Sequence, residues 1–123
     1  YSFRIEGRFD YVRARSVNRQ DNYKPLAETI STQKIFEFRD IDGIVVGFWT
    51  PAHLGSVHVP GFHFHFISAD RRAGGHLLAM DTGDVDVRIQ HAARVDLGLP
   101  MTLDFMTAEF TRDLAADIKK VEK

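Results

Sequence analysis

The stretch Gly61-Phe62-His63-Phe64-His65-Phe66-Ile67-Ser68-Ala69-Asp70-Arg71-Arg72-Ala73-Gly74-Gly75-His76-Leu77 constrains this chain more than any other. Side chains of a strand alternate between its two faces. Phe62, Phe64 and Phe66 then share one face and suit a core, while His63, His65 and Ile67 share the other. The segment from Asp70 to Gly75 carries turn chemistry. The stretch therefore reads as a hairpin whose antiparallel return strand brings His76 beside His63 and His65. Three neutral imidazoles are a recurrent way to hold a divalent transition metal while leaving a position open for water or substrate. An H-x-H pair alone is more often an exposed or core pair. The third histidine after Gly-Gly turns the reading towards a metal, with His63, His65 and His76 as candidate ligands.

Composition narrows the chemistry. The 123 residues suit one compact domain, spanning 1–123, and 44% hydrophobic content is enough for a core. There is no cysteine, which excludes disulfides, thiolate metal sites and a cysteine nucleophile. Ligands must come from histidines and carboxylates, and ligation by histidine alone favours zinc over magnesium or calcium. Sixteen basic against 17 acidic residues leave a net charge of −1, no footprint for nucleic acid or an anionic membrane. No apolar run reaches the length of a membrane span, and no signal-peptide pattern is visible. Neither nucleic acid nor a membrane is expected as a partner, and a cytoplasmic location is expected. The chain opens Tyr1-Ser2-Phe3-Arg4-Ile5-Glu6, without Met and already in strand alternation, so upstream sequence is expected as well.

The remaining chain reads as follows. Tyr1 to Glu6 and Phe9 to Val17 are expected as two strands joined at Gly7, with Phe9, Tyr11, Arg13, Arg15 and Val17 on one face. Pattern alone makes Arg15 a solvated edge arginine. Asn18 to Lys24 reads as a loop, and Pro25 opens a short helix over Leu26 to Ile30. Lys34 to Arg39 and Ile44 to Thr50 are expected as strands joined by a turn at Asp40-Ile41-Asp42-Gly43. The second is apolar enough to be covered on both faces. His53 and His58 fall in the following loop, where histidines are usually exposed. Leu77 to Met80 ends near Thr82-Gly83, and Val85 to Gln90 alternates as a further strand. His91 has no visible partner, and Arg94 to Leu97 is a short strand candidate. From Pro100 the period becomes helical, with Met106, Phe110, Leu114, Ile118 and Val121 in one stripe and Glu122 at its edge. Seven or eight strands with helices at their ends argue for an α+β fold. Its expected form is a mainly antiparallel, barrel-like β-sheet with a short helix near the start and a C-terminal helical segment.

With these residues in view, the chain resembles the C-terminal half of the alpha-acetolactate decarboxylase family. The matching pieces are Arg15-Ser16-Val17 with Arg19-Gln20, Tyr23-Lys24-Pro25-Leu26, and Val46-Gly47-Phe48-Trp49-Thr50-Pro51. Then come Gly61-Phe62-His63-Phe64-His65-Phe66-Ile67, Gly74-Gly75-His76-Leu77-Leu78 and the tail ending in Glu122. The resemblance implies decarboxylation of (S)-2-acetolactate to (R)-acetoin at a zinc ion held by His63, His65 and His76. It also implies that Arg15 and Glu122 stand beside the metal as catalytic residues. Arg15 would bind the carboxylate or the developing oxyanion, and Glu122 would shuttle the proton. Members of the family are roughly twice this length, and their N-terminal half adds another glutamate near the metal and a sheet used in dimerisation. A homodimer or higher homo-oligomer is therefore expected here.

Two other readings fit parts of the pattern. H-x-H, a turn and Gly-Gly-His-Leu also resemble the small PPC domains, oligomeric binding modules in which the metal would be structural or regulatory. Arg15-Ser16-Val17, Thr50-Pro51 and the C-terminal segment favour the decarboxylase. A cupin-like metal barrel would use Asp70 as its carboxylate, but nothing around His91 matches the second cupin motif.

Overall fold

A computed structural model describes residues 1–19 and 31–108. Four long strands carry the fold: β1 (Ser2–Ser16), β2 (Lys34–Thr50), β3 (Gly61–Ser68) and β4 (Gly74–Gln90). Each pairs antiparallel with the next, and β4 returns to pair with β1, closing a ring of strands. A short 3₁₀ turn, Ala52–Leu54, follows β2. A single helical turn α1 (Leu103–Met106), capped by the Thr102 hydroxyl, follows β4. The short helix expected from Leu26 to Ile30 and most of the C-terminal stripe, Glu122 included, lie outside the described residues. No helix among the described residues is long and apolar enough to cross a membrane.

The mainly antiparallel sheet is as expected, but its division into seven or eight strands is not. Gly7, Asp40 to Gly43 and Thr82-Gly83 do not end strands; three continuous strands run through them. Gly7 lies opposite Gly43, and at φ 144° it brings β1 so close to β4 that a Cβ there would strike the Asp84 carbonyl. Turn-forming residues thus act here as bends and bulges, which let long strands curl into a ring. Arg94 to Leu97, expected as a strand, is irregular.

The bulges also decide which side chains face inward. β1 carries one extra residue against β4 between Phe9 and Tyr11, at Asp10. One unpaired residue inverts the alternation. Phe9 before it and Val12 and Ala14 after it are therefore all buried, although simple alternation puts Phe9 and Val12 on opposite faces. They meet Ile5, Val45 and Phe66 in one core, with Phe38, Ile41, Phe64, Leu77, Met80 and Val85 packed around it. The aromatic face of the His hairpin joins this core unevenly: Phe66 is 3% exposed and Phe62 is 66% exposed. β2 is not covered on both faces in this chain, since Val45 is buried whereas Val46 and Phe48 on its outer side are exposed.

The hairpin turn is tightly specified. Ser68 N–H donates to the Ala73 carbonyl and Ala73 N–H to the Ser68 hydroxyl, at 2.8 and 3.0 Å. The Asp70 carboxylate accepts from the Ser68 hydroxyl at 2.6 Å and from the Arg72 amide at 3.0 Å. These donors hold its pKa below the usual aspartate value. Asp70 is a turn anchor, so the cupin-like reading loses its carboxylate.

The contrast within one face of the hairpin is testable by denaturant unfolding of single variants. Phe66→Ala is expected to cost about 3–5 kcal/mol, the usual penalty for emptying a buried phenylalanine site. Phe62→Ala is expected to cost about 1 kcal/mol or less, as for other exposed positions. Equal losses would mean that the inward face has been misassigned.

Candidate metal centre

The outer face of the ring brings three histidines and an arginine together by simple register. His65 on β3 lies directly opposite His76 on β4, and His76 directly opposite Arg15 on β1. Residues paired across antiparallel strands project to the same side, so Arg15, His76 and His65 form one row. His63, two residues before His65, stands beside that row and opposite Phe48 of β2. The return strand thus brings the third histidine to the first two as the hairpin pattern predicts.

The three imidazoles converge. Ring centroids lie 5.3 Å apart for His63–His65, 5.0 Å for His63–His76 and 5.3 Å for His65–His76. One ring nitrogen from each falls within 4.8 Å of the others. The Nε2 atoms of His63 and His65 are 3.2 Å apart. Two nitrogens bound to one tetrahedral zinc at 2.0–2.1 Å would stand roughly 3.3 Å apart. The first pair already has that spacing, and the donor set is one that first-row transition metals accept.

The electrostatics keep one ligand in the right protonation state. The His76 pKa is pushed down to about 4, first by burial, then by the Arg15 charge and by His63 and His65. Metal ligation requires the neutral ring, and His76 is neutral throughout the physiological range.

Arg15 is not the solvated edge residue its pattern suggested. It is 6% exposed, and its Nη1 donates to Gln33 Oε1 at 3.0 Å. β4 carries an extra residue, Leu78, between the partners of Arg13 and Ala14, and this sets His76 directly opposite Arg15. A Cβ on Gly75 would strike the Arg15 carbonyl. Gly75 is what lets β4 approach Arg15 closely, and Gly74 has the same role against the Phe66 carbonyl of β3. Gly47 has the same role against the His63 carbonyl. Nothing in the sequence marked Gln33, because its partner is 18 residues away.

His58 also gains a place. Its Nδ1 lies 3.0 Å from the Thr50 hydroxyl, its ring packs edge-on against Phe48 at 5.4 Å, and its centroid is 5.9 Å from that of His63. It stands beside the three-histidine group without belonging to it. A cavity of about 480 Å³ opens here, lined among others by Phe3, Val46, Phe48, His58, His63 and His65. His53 is exposed on the 3₁₀ turn, and His91 is exposed with its ring 5.3 Å from Tyr1. Glu122 lies outside the described residues.

Comparison with known proteins identifies relatives of the chain. The family profile described as alpha-acetolactate decarboxylase matches residues 1–112. The chain is 42% identical over 124 residues to an alpha-acetolactate decarboxylase of Methanosarcina mazei, covering 100% of this chain and 43% of that protein. It is 41% identical to that of Bacillus licheniformis, covering 99% and 49% respectively. A crystal structure of acetolactate decarboxylase from Bacillus subtilis subspecies spizizenii superposes with a TM-score of 0.92 at 38% identity, over 98% of this chain and 53% of that one. The chain thus spans about half the length of the curated relatives it matches. On sequence and fold together, the chain belongs to the alpha-acetolactate decarboxylase family.

Proposed function

We propose that this chain is the C-terminal, metal-binding half of an enzyme that decarboxylates (S)-2-acetolactate to (R)-acetoin and CO2 with zinc. One observation carries the reading: three imidazoles converge on one point, on the same strand row as a buried arginine. Residues 1–123 are taken as a single domain of that enzyme.

Decarboxylation breaks the bond between C2 and the carboxylate carbon. CO2 leaves, the bonding electron pair flows into the adjacent ketone to give an enolate, and a proton added to carbon completes acetoin. His63, His65 and His76 would hold the zinc ion, which would supply Lewis acidity for the negative charge that develops on the substrate. Arg15 offers a planar donor fork that matches a carboxylate or an oxyanion. Its guanidinium is held by Gln33, so little side-chain freedom is lost when it engages. Phe3, Val46 and Phe48 line the cavity beside the histidines with apolar surface. Glu122 is assigned the proton delivered to carbon, on the strength of the family resemblance.

The same reading includes assembly and location. Gly61 to Phe64 of β3 pair with β2 alone among the described strands, and such an edge invites pairing with further chain. A homodimer or larger homo-oligomer of the full-length protein, in the cytoplasm, is the expected state, checked by light scattering and cell fractionation.

Three measurements on the full-length protein test the reading. Purified protein is expected to contain stoichiometric zinc by elemental analysis and to form acetoin from acetolactate. His65→Ala is expected to lose the zinc, and a variant that retained one equivalent would remove the ligand assignment. Arg15→Lys keeps the charge but loses the fork, and is expected to lower kcat/KM by roughly 10²-fold, as for removal of an oriented donor. Its zinc content should be unchanged, and unaltered kinetics would exclude Arg15 from the reaction.

A further inference from the structure

The cavity beside the three histidines has a polar wall that the decarboxylation reading does not use. His58 comes from the loop after β2, not from the hairpin. Its ring is fixed on two sides, by Thr50 and by the edge of Phe48. Its Nδ1 also lies 3.3 Å from the Val59 carbonyl. A carbonyl only accepts, and a threonine hydroxyl can accept, so the tautomer that satisfies both contacts carries its proton on Nδ1. Nε2 is then a hydrogen-bond acceptor.

Side-chain acceptors are few among the described residues lining this cavity. Arg15 only donates, and a bound metal would take up the ligand lone pairs of His63, His65 and His76. Phe3, Val46 and Phe48 offer none. Among the residues lining the cavity, the Ser2 hydroxyl and the His58 imidazole remain. Of these two, His58 is in ring contact with a ligand, 5.9 Å from His63 between centroids.

From this we infer that His58 is a specificity-determining residue: its Nε2 accepts the hydroxyl proton of a 2-hydroxy acid seated at the three-histidine centre. The role rests on the metal-centre reading of the previous subsection and adds the group that reads the substrate's hydroxyl. It explains how the site would distinguish a 2-hydroxy acid from the same acid without the hydroxyl, since both present the same carboxylate to Arg15.

The test uses cobalt(II)-loaded full-length protein and follows its visible spectrum during titration with 2-hydroxyisobutyrate or isobutyrate. His58→Ala is expected to weaken 2-hydroxyisobutyrate about tenfold, the usual worth of one hydrogen bond in a binding site. Isobutyrate should be affected less than about twofold on the same scale. Cobalt stoichiometry should not change. His58→Gln, which keeps an acceptor, should recover part of the selectivity, and Ser2→Ala should leave it intact. Equal weakening of both acids, no weakening of either, or loss selective to Ser2→Ala would overturn the inference. So would loss of cobalt from His58→Ala, which would make His58 a ligand. The two readings fail separately. Hydroxyl selectivity that depends on His58 in a protein forming no acetoin would remove the decarboxylase reading alone. Acetoin formation with selectivity indifferent to His58 would remove this one alone.

Discussion

Closure of the strand ring rests on three residue pairs, His65–His76, Phe66–Gly75 and Ile67–Gly74, where β3 meets β4. The same short ladder serves both faces of the sheet. On the inside it seats Phe66 against Phe9 and Phe38. On the outside it sets His65 opposite His76. Fold and metal centre are thereby coupled: a slip of one residue would turn Phe66 outward and the histidines into the core. A metal held across this ladder would bridge β3 to β4 where the backbone joins them least, so metal affinity adds to the stability of the folded state by mass action.

The close approach at this ladder needs glycine on both sides of it. At Gly47 any side chain would run into the His63 carbonyl, and at Gly75 into Arg15. These contacts bring neighbouring strands near enough for histidines on β3, a histidine on β4 and an arginine on β1 to share one small region. The turn from Ser68 to Ala73 fixes the register through side-chain bonds of Ser68 and Asp70. The acidic residue of the hairpin is therefore occupied in the turn and is not a ligand.

The electrostatic arrangement matches the donor set. A buried guanidinium beside three imidazoles would be an awkward neighbour for protonated rings, and it helps hold His76 neutral. With a divalent cation added, the region becomes strongly positive and calls for an anion. A 2-hydroxy-3-keto acid supplies one as its carboxylate. The hydroxyl of such an acid then needs an acceptor, which the loop after β2 can provide through His58.

The hairpin was legible in sequence because alternation, turn residues and Gly-Gly-His all specify the same local geometry over 17 residues, Gly61 to Leu77. The convergence of His63, His65 and His76 follows from that local pattern. Strand lengths were not legible, because Gly7, Asp40 to Gly43 and Thr82-Gly83 carry the same residue types whether a strand ends or bends. Only pairing with neighbouring strands decides between the two. Nor was the placing of Arg15 opposite His76, which depends on an extra residue in β4, some 60 positions away along the chain. Sequence by itself determined the antiparallel hairpin, the candidate ligand set and the exclusion of thiolate chemistry. The tertiary structure alone decided that Arg15 is enclosed beside His76, that Gln33 holds it, and that His58 flanks the site. Those contacts arise from long-range register and bulges, which no local pattern encodes.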